Sequence, residues 1–405
     1  MVDFNFTEEQ LSLQKLAHDF AINDIKPVTD EMDKIADPNE VHENFPWHLI
    51  EKGSALGLRT AALPEVHGGA GIGILTHLLM LEELCQADSG FATHFHQAWK
   101  MAKLLVERCS PEQRDHFLPK FTDDPRALLA VGITEPDAGC DNLMPYDEPD
   151  GGMRTSAVRD GDEWVLNGTK HFVACASVSK LYFVSTRTDK TVGVTQGVTV
   201  FLVEKDTPGF TIGRIHDKMG NRLMMNAEMI FDNCRVPDFN RVSEVGKGLS
   251  FLGSFGARHI PTTGAFGLAL ARAAFEYALE YAKTRVQGGR PIIEHPTVAL
   301  RLGEMATLIE AARAVSIQAA WLADQPEYDS LRGLLSSIFA SDVGPKVCDL
   351  AMQLMGGYGY MKEYPIEKLM RDTLMCYHID GTSDVHKIKI GEMLSGVKTA
   401  GYITE

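Results

Sequence analysis

The sequence predicts an α+β fold in which a block of helices gives way to a block of strands and then to a second block of helices. Three observations predict it. Apolar residues recur at helical spacing through residues 1–126. Short apolar or alternating runs, punctuated by Asp160-Gly161 and Asn167-Gly168, fill residues 127–245. Ala-rich stretches with short connections occupy residues 246–405. Strands grouped between helices are not a βαβ alternation, so a doubly wound dinucleotide fold is disfavoured. The expected domains are an N-terminal helical domain (1–126), a middle antiparallel β-barrel-like domain (127–245) and a C-terminal four-helix bundle (246–405).

The first helix opens on Thr7-Glu8-Glu9-Gln10, a capping-box pattern, continues through Leu11, Leu16 and Phe20, and is expected to end at Pro27. A Pro- and Gly-rich loop runs from Leu63 to Gly71, and helix resumes over Thr76–Gln86 and again after Ser89. Strands are expected over Ala127–Thr134, Trp164–Val173, Lys180–Thr186, Val198–Val203 and Ala227–Phe231, the last ending by Pro237, with Asp160-Gly161 and Asn167-Gly168 as turns. Helices follow near Thr263–Arg285, Thr297–Ala323 and Leu331–Met355, and a final one starts at Thr382 or Ser383, both good N-caps.

The chain has 405 residues, 44% of them hydrophobic and 23% charged, and a formal net charge of −16. This composition excludes a disordered chain, a collagen or a disulfide scaffold. The negative charge, with no block of Lys/Arg, excludes nucleic acid as an expected partner. Seven cysteines without a CxxC pair read as reduced thiols. No apolar run reaches the length of a membrane span, and residues 1–10 are acidic with the first Lys at Lys15, unlike a signal or transit peptide. A cytoplasmic location is expected. His94-Phe95-His96 lacks an accompanying ligand cluster, so no metal is expected there.

Four segments carry potential chemistry. Thr134-Glu135-Pro136-Asp137-Ala138-Gly139-Cys140-Asp141 follows a strand and is either a tight loop or a backbone surface for a planar ligand. Asn167–Ala174 is either a hairpin with a core Phe or a ligand-lining strand. Gln353-Leu354-Met355-Gly356-Gly357-Tyr358-Gly359 ends a helix, and its glycines are a stop signal or a cofactor loop. Asp380-Gly381-Thr382 precedes a helix start, so Asp380 is a capping or solvated carboxylate or a general base.

In combination and order these segments, with Pro64–Gly71, Arg258, Arg285 and Glu363–Arg371, resemble the acyl-CoA dehydrogenase flavoprotein family over nearly the whole chain. The resemblance implies FAD as cofactor, an acyl-CoA substrate, a homotetramer and an electron-transferring flavoprotein as acceptor. It places Thr134, Gly139, Cys140, Phe172, Ala174 and Thr382 along the flavin, and gives Arg285, Gln353, Gly356 and Gly357 to the FAD of a neighbouring subunit. It makes Asp380 the base that takes the α-proton while the β-hydrogen leaves as hydride to flavin N5. It puts Arg258, Asp88, Thr93 and Gly381 at the substrate, and burial beneath the acyl chain is expected to raise the pKa of Asp380.

The chain also departs from the family. Asp380 stands where most members carry Glu, and Ala257, beside Arg258, offers no relocated base. Ala174 replaces a hydroxyl residue, Gly288 a Phe and Pro296 a Gln, and about seven extra residues fall within Leu143–Met153. These departures suggest a branched or alicyclic acyl group such as cyclohexanecarboxyl-CoA. The alternatives are a nitroalkane-oxidase-like flavin oxidase and a non-catalytic acyl-CoA-binding flavoprotein.

Overall fold

The computed structural model describes residues 5–143 and 147–397. Helix α1 (Glu8–Phe20) carries the expected capping box, with Thr7 Oγ1 accepting Gln10 N–H at 3.1 Å. Pro27 does not end this segment. A π-turn over Ala21–Ile25 shifts the hydrogen-bond register by one residue, and α2 (Lys26–Met32) continues with Pro27 in its first turn, where no N–H is needed. Short helices α3 (Pro38–Glu43) and α4 (Trp47–Ala55) lead into the Pro/Gly loop. Helix α5 (Ile74–Arg108) is the axis of this block. It is kinked at Asp88 (φ −160°, ψ 114°), the break seen in the sequence between Gln86 and Ser89. Helix α6 (Pro111–Thr122) closes the block.

The middle region is a seven-stranded sheet: β1 (Leu129–Gly132), β2 (Ser156–Asp160), β3 (Glu163–Val173), β4 (Leu181–Arg187), β5 (Val198–Glu204), β6 (Phe210–Ile215) and β7 (Ala227–Pro237). Its order is β1-β4-β2-β3-β7-β6, with β5 on β4. The sheet is not wholly antiparallel, since β1 runs parallel to β4. Both are buried along almost their whole length rather than on alternate residues, the usual state of parallel strands covered on both faces. Asp160-Gly161 turns β2 into β3 as expected. Asn167-Gly168, expected as a turn, instead lies inside β3 at a bulge, where the pairing with β7 shifts and Gly168 adopts φ 141°. A four-residue helix, α7 (Val194–Gly197), precedes β5.

The last block holds α8 (Gly248–Thr284), α9 (Pro296–Ala323), α10 (Ser330–Met355), α11 (Pro365–Thr373) and α12 (Ser383–Ser395). A small hairpin of β8 (Val286–Gln287) and β9 (Arg290–Pro291) follows α8. Close approach of α8 to α10 depends on small residues: a Cβ at Gly267 would stand 2.3 Å from Ala340 O. The core is layered accordingly, with one apolar cluster joining α1–α5 to the middle of α8 and another filling the space between α8, α9, α10 and α11. All seven cysteines are free thiols. Among the described residues no helix is long and apolar enough to cross a membrane.

Candidate active site

Asp380 sits on the turn before α12 in a left-handed conformation, φ 50°, followed by Gly381 at φ 102°. Thr382 Oγ1 accepts Val385 N–H at 3.3 Å and so caps α12. From the first turn of that helix, His386 Nε2 reaches the Asp380 carbonyl oxygen at 3.0 Å. Gly381 has no room for a side chain, because a Cβ there would meet His386 Nε2 at 2.8 Å. The turn aims the Asp380 carboxylate at two helices. Its Oδ2 lies 3.0 Å from Lys100 Nζ of α5 and 3.0 Å from Thr263 Oγ1 of α8. The Lys100 side chain is 9% exposed and that of Asp380 33%, so the pair has a covered end and an open end.

Burial alone would raise the Asp380 carboxyl. The Lys100 ammonium and the Thr263 hydroxyl outweigh it and hold the carboxyl below its ordinary range. The expected rise belongs to burial beneath the acyl chain; in the protein alone the direction is downward. Behind Lys100 stands a group of buried histidines: His77 Nε2 is 2.9 Å from His96 Nδ1, and the His77 and His259 rings are 6.2 Å apart. Burial holds His77 and His96 well below their usual value and His259 down to about 3, so all three are neutral near pH 7. His94 is separate, bonded through Nε2 to Leu223 O at 2.8 Å. No group of three or more His, Cys, Asp or Glu among the described residues could hold a metal ion.

The loop after β1 is held by a buried ion pair. Lys170 Nζ donates to Glu135 Oε1 at 2.7 Å and to Ile133 O at 3.0 Å, while Glu135 also accepts Arg154 N–H and Thr155 N–H. Thr134 O accepts His171 N–H at 2.8 Å. Phe172 is left-handed (φ 55°); its N–H donates to His216 Nε2 and its carbonyl accepts Asn226 Nδ2–H, yet the residue is 60% exposed. Ala174 packs on the helical core, and Cys140 opens a short 3₁₀ turn after Gly139. Leu143, at the end of that turn, comes within 3.4 Å of the Cβ position at Gly381. The loop bearing Thr134, Gly139 and Cys140 therefore meets β3 at His171 and the Asp380 turn at Leu143. Of the extra segment Leu143–Met153, residues 144–146 lie outside the described residues; the rest is tied down by Arg187, which donates to Pro149 O and Gly151 O.

Other expected residues have different partners. Asp88 Oδ1 accepts Phe91 N–H at 2.6 Å, capping the helix beyond the kink, and Oδ2 lies 2.8 Å from Lys368 Nζ. Thr93 donates its hydroxyl to Ser89 O at 2.9 Å. Arg258 is committed to the C-terminal end of α9, donating to Ala323 O, Gln325 O and Pro326 O at 2.9–3.1 Å. Asp88 and Arg258 thus serve the helix framework through these bonds. Gly288 turns the β8–β9 hairpin at φ 61°, and Pro296 occupies the first turn of α9, so both replacements answer local backbone needs.

Arg285, Gln353, Gly356 and Gly357 form a second group. The Arg285 guanidinium lies 4.9 Å from the Tyr358 ring centroid and donates to Gln287 Oε1, and no carboxylate among the described residues pairs with it. Gln353 bonds Asp349 one turn back, and Cβ positions at Gly356 and Gly357 face open space. Thr263 and Arg285 are separated by 22 positions along α8, roughly 33 Å at helical rise, so this group cannot close on the Asp380 turn within one chain.

Comparison with known proteins decides the family. Family models for the acyl-CoA dehydrogenase N-terminal, middle and C-terminal domains match residues 7–124, 130–234 and 251–395. The chain belongs to the acyl-CoA dehydrogenase family. It is 33% identical to an acyl-CoA dehydrogenase of Bacillus subtilis over 393 residues, covering 96% of this chain and 99% of the relative. It is also 33% identical to cyclohex-1-ene-1-carbonyl-CoA dehydrogenase of Syntrophus aciditrophicus, over 96% of this chain and 90% of the relative. The solved structure of butyryl-CoA dehydrogenase from Megasphaera elsdenii superposes with a TM-score of 0.88 at 32% identity, over 97% of this chain and all of that one. This acyl-CoA dehydrogenase is an oxidoreductase acting on a CH–CH bond with FAD as cofactor. The residues fit that cofactor: an aromatic ring exposed on strained backbone at Phe172, open space at Gly139, and at Arg285 a cation free to meet a pyrophosphate.

The sequence reading missed Lys100, Thr263, His77, His259 and His386. Lys100 carried one signal, a charged residue seven positions beyond Thr93 and so on the same face of an otherwise apolar helix.

Proposed function

We propose that this enzyme introduces an α,β double bond into an acyl-CoA thioester, with Asp380 as the base that takes the α-proton. The observation that carries the reading is the carboxylate of Asp380, held on a strained turn at the start of α12 beside the loop that bears Thr134, Gly139 and Cys140. FAD, when bound, supplies the hydride acceptor for the β-hydrogen. Thr134, Gly139, Cys140, Phe172, Ala174 and Thr382 are its proposed neighbours in this chain, and Arg285, Gln353, Gly356 and Gly357 would reach the cofactor of another subunit in a homotetramer. The second assignment agrees with the span of α8, which keeps Arg285 far from Asp380. The Asp380 N–H and the start of α12 would meet the thioester oxygen, where negative charge develops.

The shorter base and the loss of a hydroxyl at Ala174 favour a branched or alicyclic acyl group such as cyclohexanecarboxyl-CoA, in keeping with the alicyclic substrate in the name of the Syntrophus relative. An electron-transferring flavoprotein is the proposed acceptor. One observation favours a second reading: a carboxylate weakened by Lys100 suits a more acidic carbon, as in a nitroalkane oxidase. A single anaerobic experiment tests the main reading. Flavin bleaching by straight-chain and alicyclic CoA thioesters is followed with wild type and Asp380→Asn. The alicyclic thioester is expected to bleach wild type fastest, and Asp380→Asn is expected to keep FAD and resist bleaching. Preference for butyryl- or octanoyl-CoA overturns the substrate, wild-type bleaching by Asp380→Asn overturns the base, and peroxide released in air from a nitroalkane supports the oxidase.

A further inference from the structure

We infer that Lys100 and Thr263 are positioning residues that sort the two oxygens of Asp380, both holding Oδ2 so that Oδ1 is left to take the α-proton. The inference rests on Asp380 being the base. Its ground is geometric. Lys100 Nζ and Thr263 Oγ1 arrive from different helices, and both stop 3.0 Å from the same oxygen. No hydrogen bond among the described residues reaches Oδ1. A carboxylate rotates easily about its last bond, with two nearly equivalent orientations. Two fixed donors on one oxygen remove that freedom, which matters most for Asp, whose shorter stem leaves less reach with which to correct a misplaced oxygen.

The surroundings show that Lys100 is placed for this partner. Its side chain is 9% exposed, and burial of an ammonium is costly unless it is paired. Asp380 is its one carboxylate partner among the described residues. The other charged and titratable groups around the pair offer no anion. On α5, His77 and His96 are neutral, and Lys103, a further cation, pairs with Glu107. On α8, His259 is neutral and Thr263 donates. On α12, His386 is held below its ordinary value by burial and engages the Asp380 backbone.

During proton abstraction the Cα–H bond breaks and an O–H bond forms at Oδ1. The electron pair of the broken bond enters the new double bond as the β-hydrogen leaves with its own pair. Lys100 keeps its proton throughout, and both donors remain on Oδ2, which becomes the carbonyl oxygen of the neutral acid. Lys100 therefore costs the base some strength, and in return keeps it ionised and aimed over a wider range of acidity.

The test uses the FAD-loaded enzyme and the best thioester from the bleaching panel. For Lys100→Met the acid limb of the bleaching rate is expected to move up by about one pH unit. Thioester affinity, read from the concentration dependence of the rate, is expected to stay within about threefold of wild type. Lys100→Arg restores the cation and should return the limb toward wild type. An unmoved limb in Lys100→Met overturns the inference even if the rate falls, since general structural damage would do that too; so does an Arg variant that behaves like Met. If Lys100→Met does not retain FAD, Thr263→Val, which keeps the shape and removes one donor, should move the limb the same way by a smaller step, and an unmoved limb there overturns the inference. Bleaching by Asp380→Asn at the wild-type rate would instead bring down the assignment of the base, so the two failures are distinguishable.

Discussion

At the scale of single residues, the site depends on two consecutive positions with unusual backbone. Asp380 is left-handed, and Gly381 takes φ 102°, which a side chain resists even where there is space. Here there is no space, because His386 Nε2 occupies the position and also reaches the Asp380 carbonyl. An added methyl at Gly381 must therefore displace the imidazole that holds the turn, and the carboxylate moves with it. Gly381→Ala is expected to keep its flavin absorbance while bleaching about a hundredfold more slowly, the scale of a misplacement near 1 Å. Stopped-flow reduction measures this, and an unchanged rate would show that the turn does not aim the base. The Asp380-Gly381-Thr382 triplet was legible in the sequence because cap and turn chemistry are local. Lys100 was not: its partner lies 280 positions away, and no local pattern joins a lysine on α5 to a turn before α12.

At the scale of elements, polar groups buried between helices fix how the blocks meet. Asp88 breaks α5, caps the helix beyond the break, and shares Lys368 of α11 with Asp372, at 2.8 and 2.7 Å. Asp372 in turn accepts Asn221 N–H at 2.6 Å, and Ser89 donates to Asn221 Oδ1 at 2.6 Å, so one network joins α5, the loop between β6 and β7, and α11. Burial raises the Asp372 carboxyl, Lys368 opposes this, and Asp88 adds to it; two carboxylates rely on one ammonium. Lys368→Met removes the only positive charge in that triad and is expected to destabilise the fold by about 3–5 kcal/mol. Urea unfolding should show a lower midpoint with an unchanged slope, and an unchanged midpoint would show that the triad carries no such energy. The existence of α5, α8, α9 and α10 was legible from spacing and composition. The parts that were not depend on distant partners: the π-turn that carries the chain past Pro27, the bulge at Gly168, and the parallel pairing of β1 with β4.

At the scale of the whole molecule, acid stability is expected to be governed first by histidines rather than by the carboxylates that set the net charge of −16. His77, His94, His96 and His259 are buried and neutral; burial holds His94 down to about 4 and His259 to about 3, the other two well below their ordinary value. For each the folded pKa is lower than the unfolded one, near 6.5. The unfolded chain therefore binds protons that the folded chain refuses. Stability is full above about pH 6.5 and is lost as the pH falls toward the folded values, by about 2 kcal/mol for each of His94 and His259 between pH 6.5 and 5. Asp33, Glu83, Glu135 and Asp380 are held low by cations and by hydrogen-bond donors, so their contribution is lost only in a lower window, as the pH drops below the ordinary carboxylate range. Acidification also reduces the excess negative charge, which by itself would relieve self-repulsion and favour the folded state. The two effects have opposite signs, and the histidine effect is expected to be the larger. The melting temperature is expected to hold from pH 8 to 7 and to fall steadily from about pH 6.5 to 5. His94→Gln retains an N–H donor for Leu223 O and removes one titrating group, so it should make the fall shallower. A melting temperature that stays level down to pH 5, or a variant whose slope matches wild type, would show that protonation of the buried histidines does not govern acid stability.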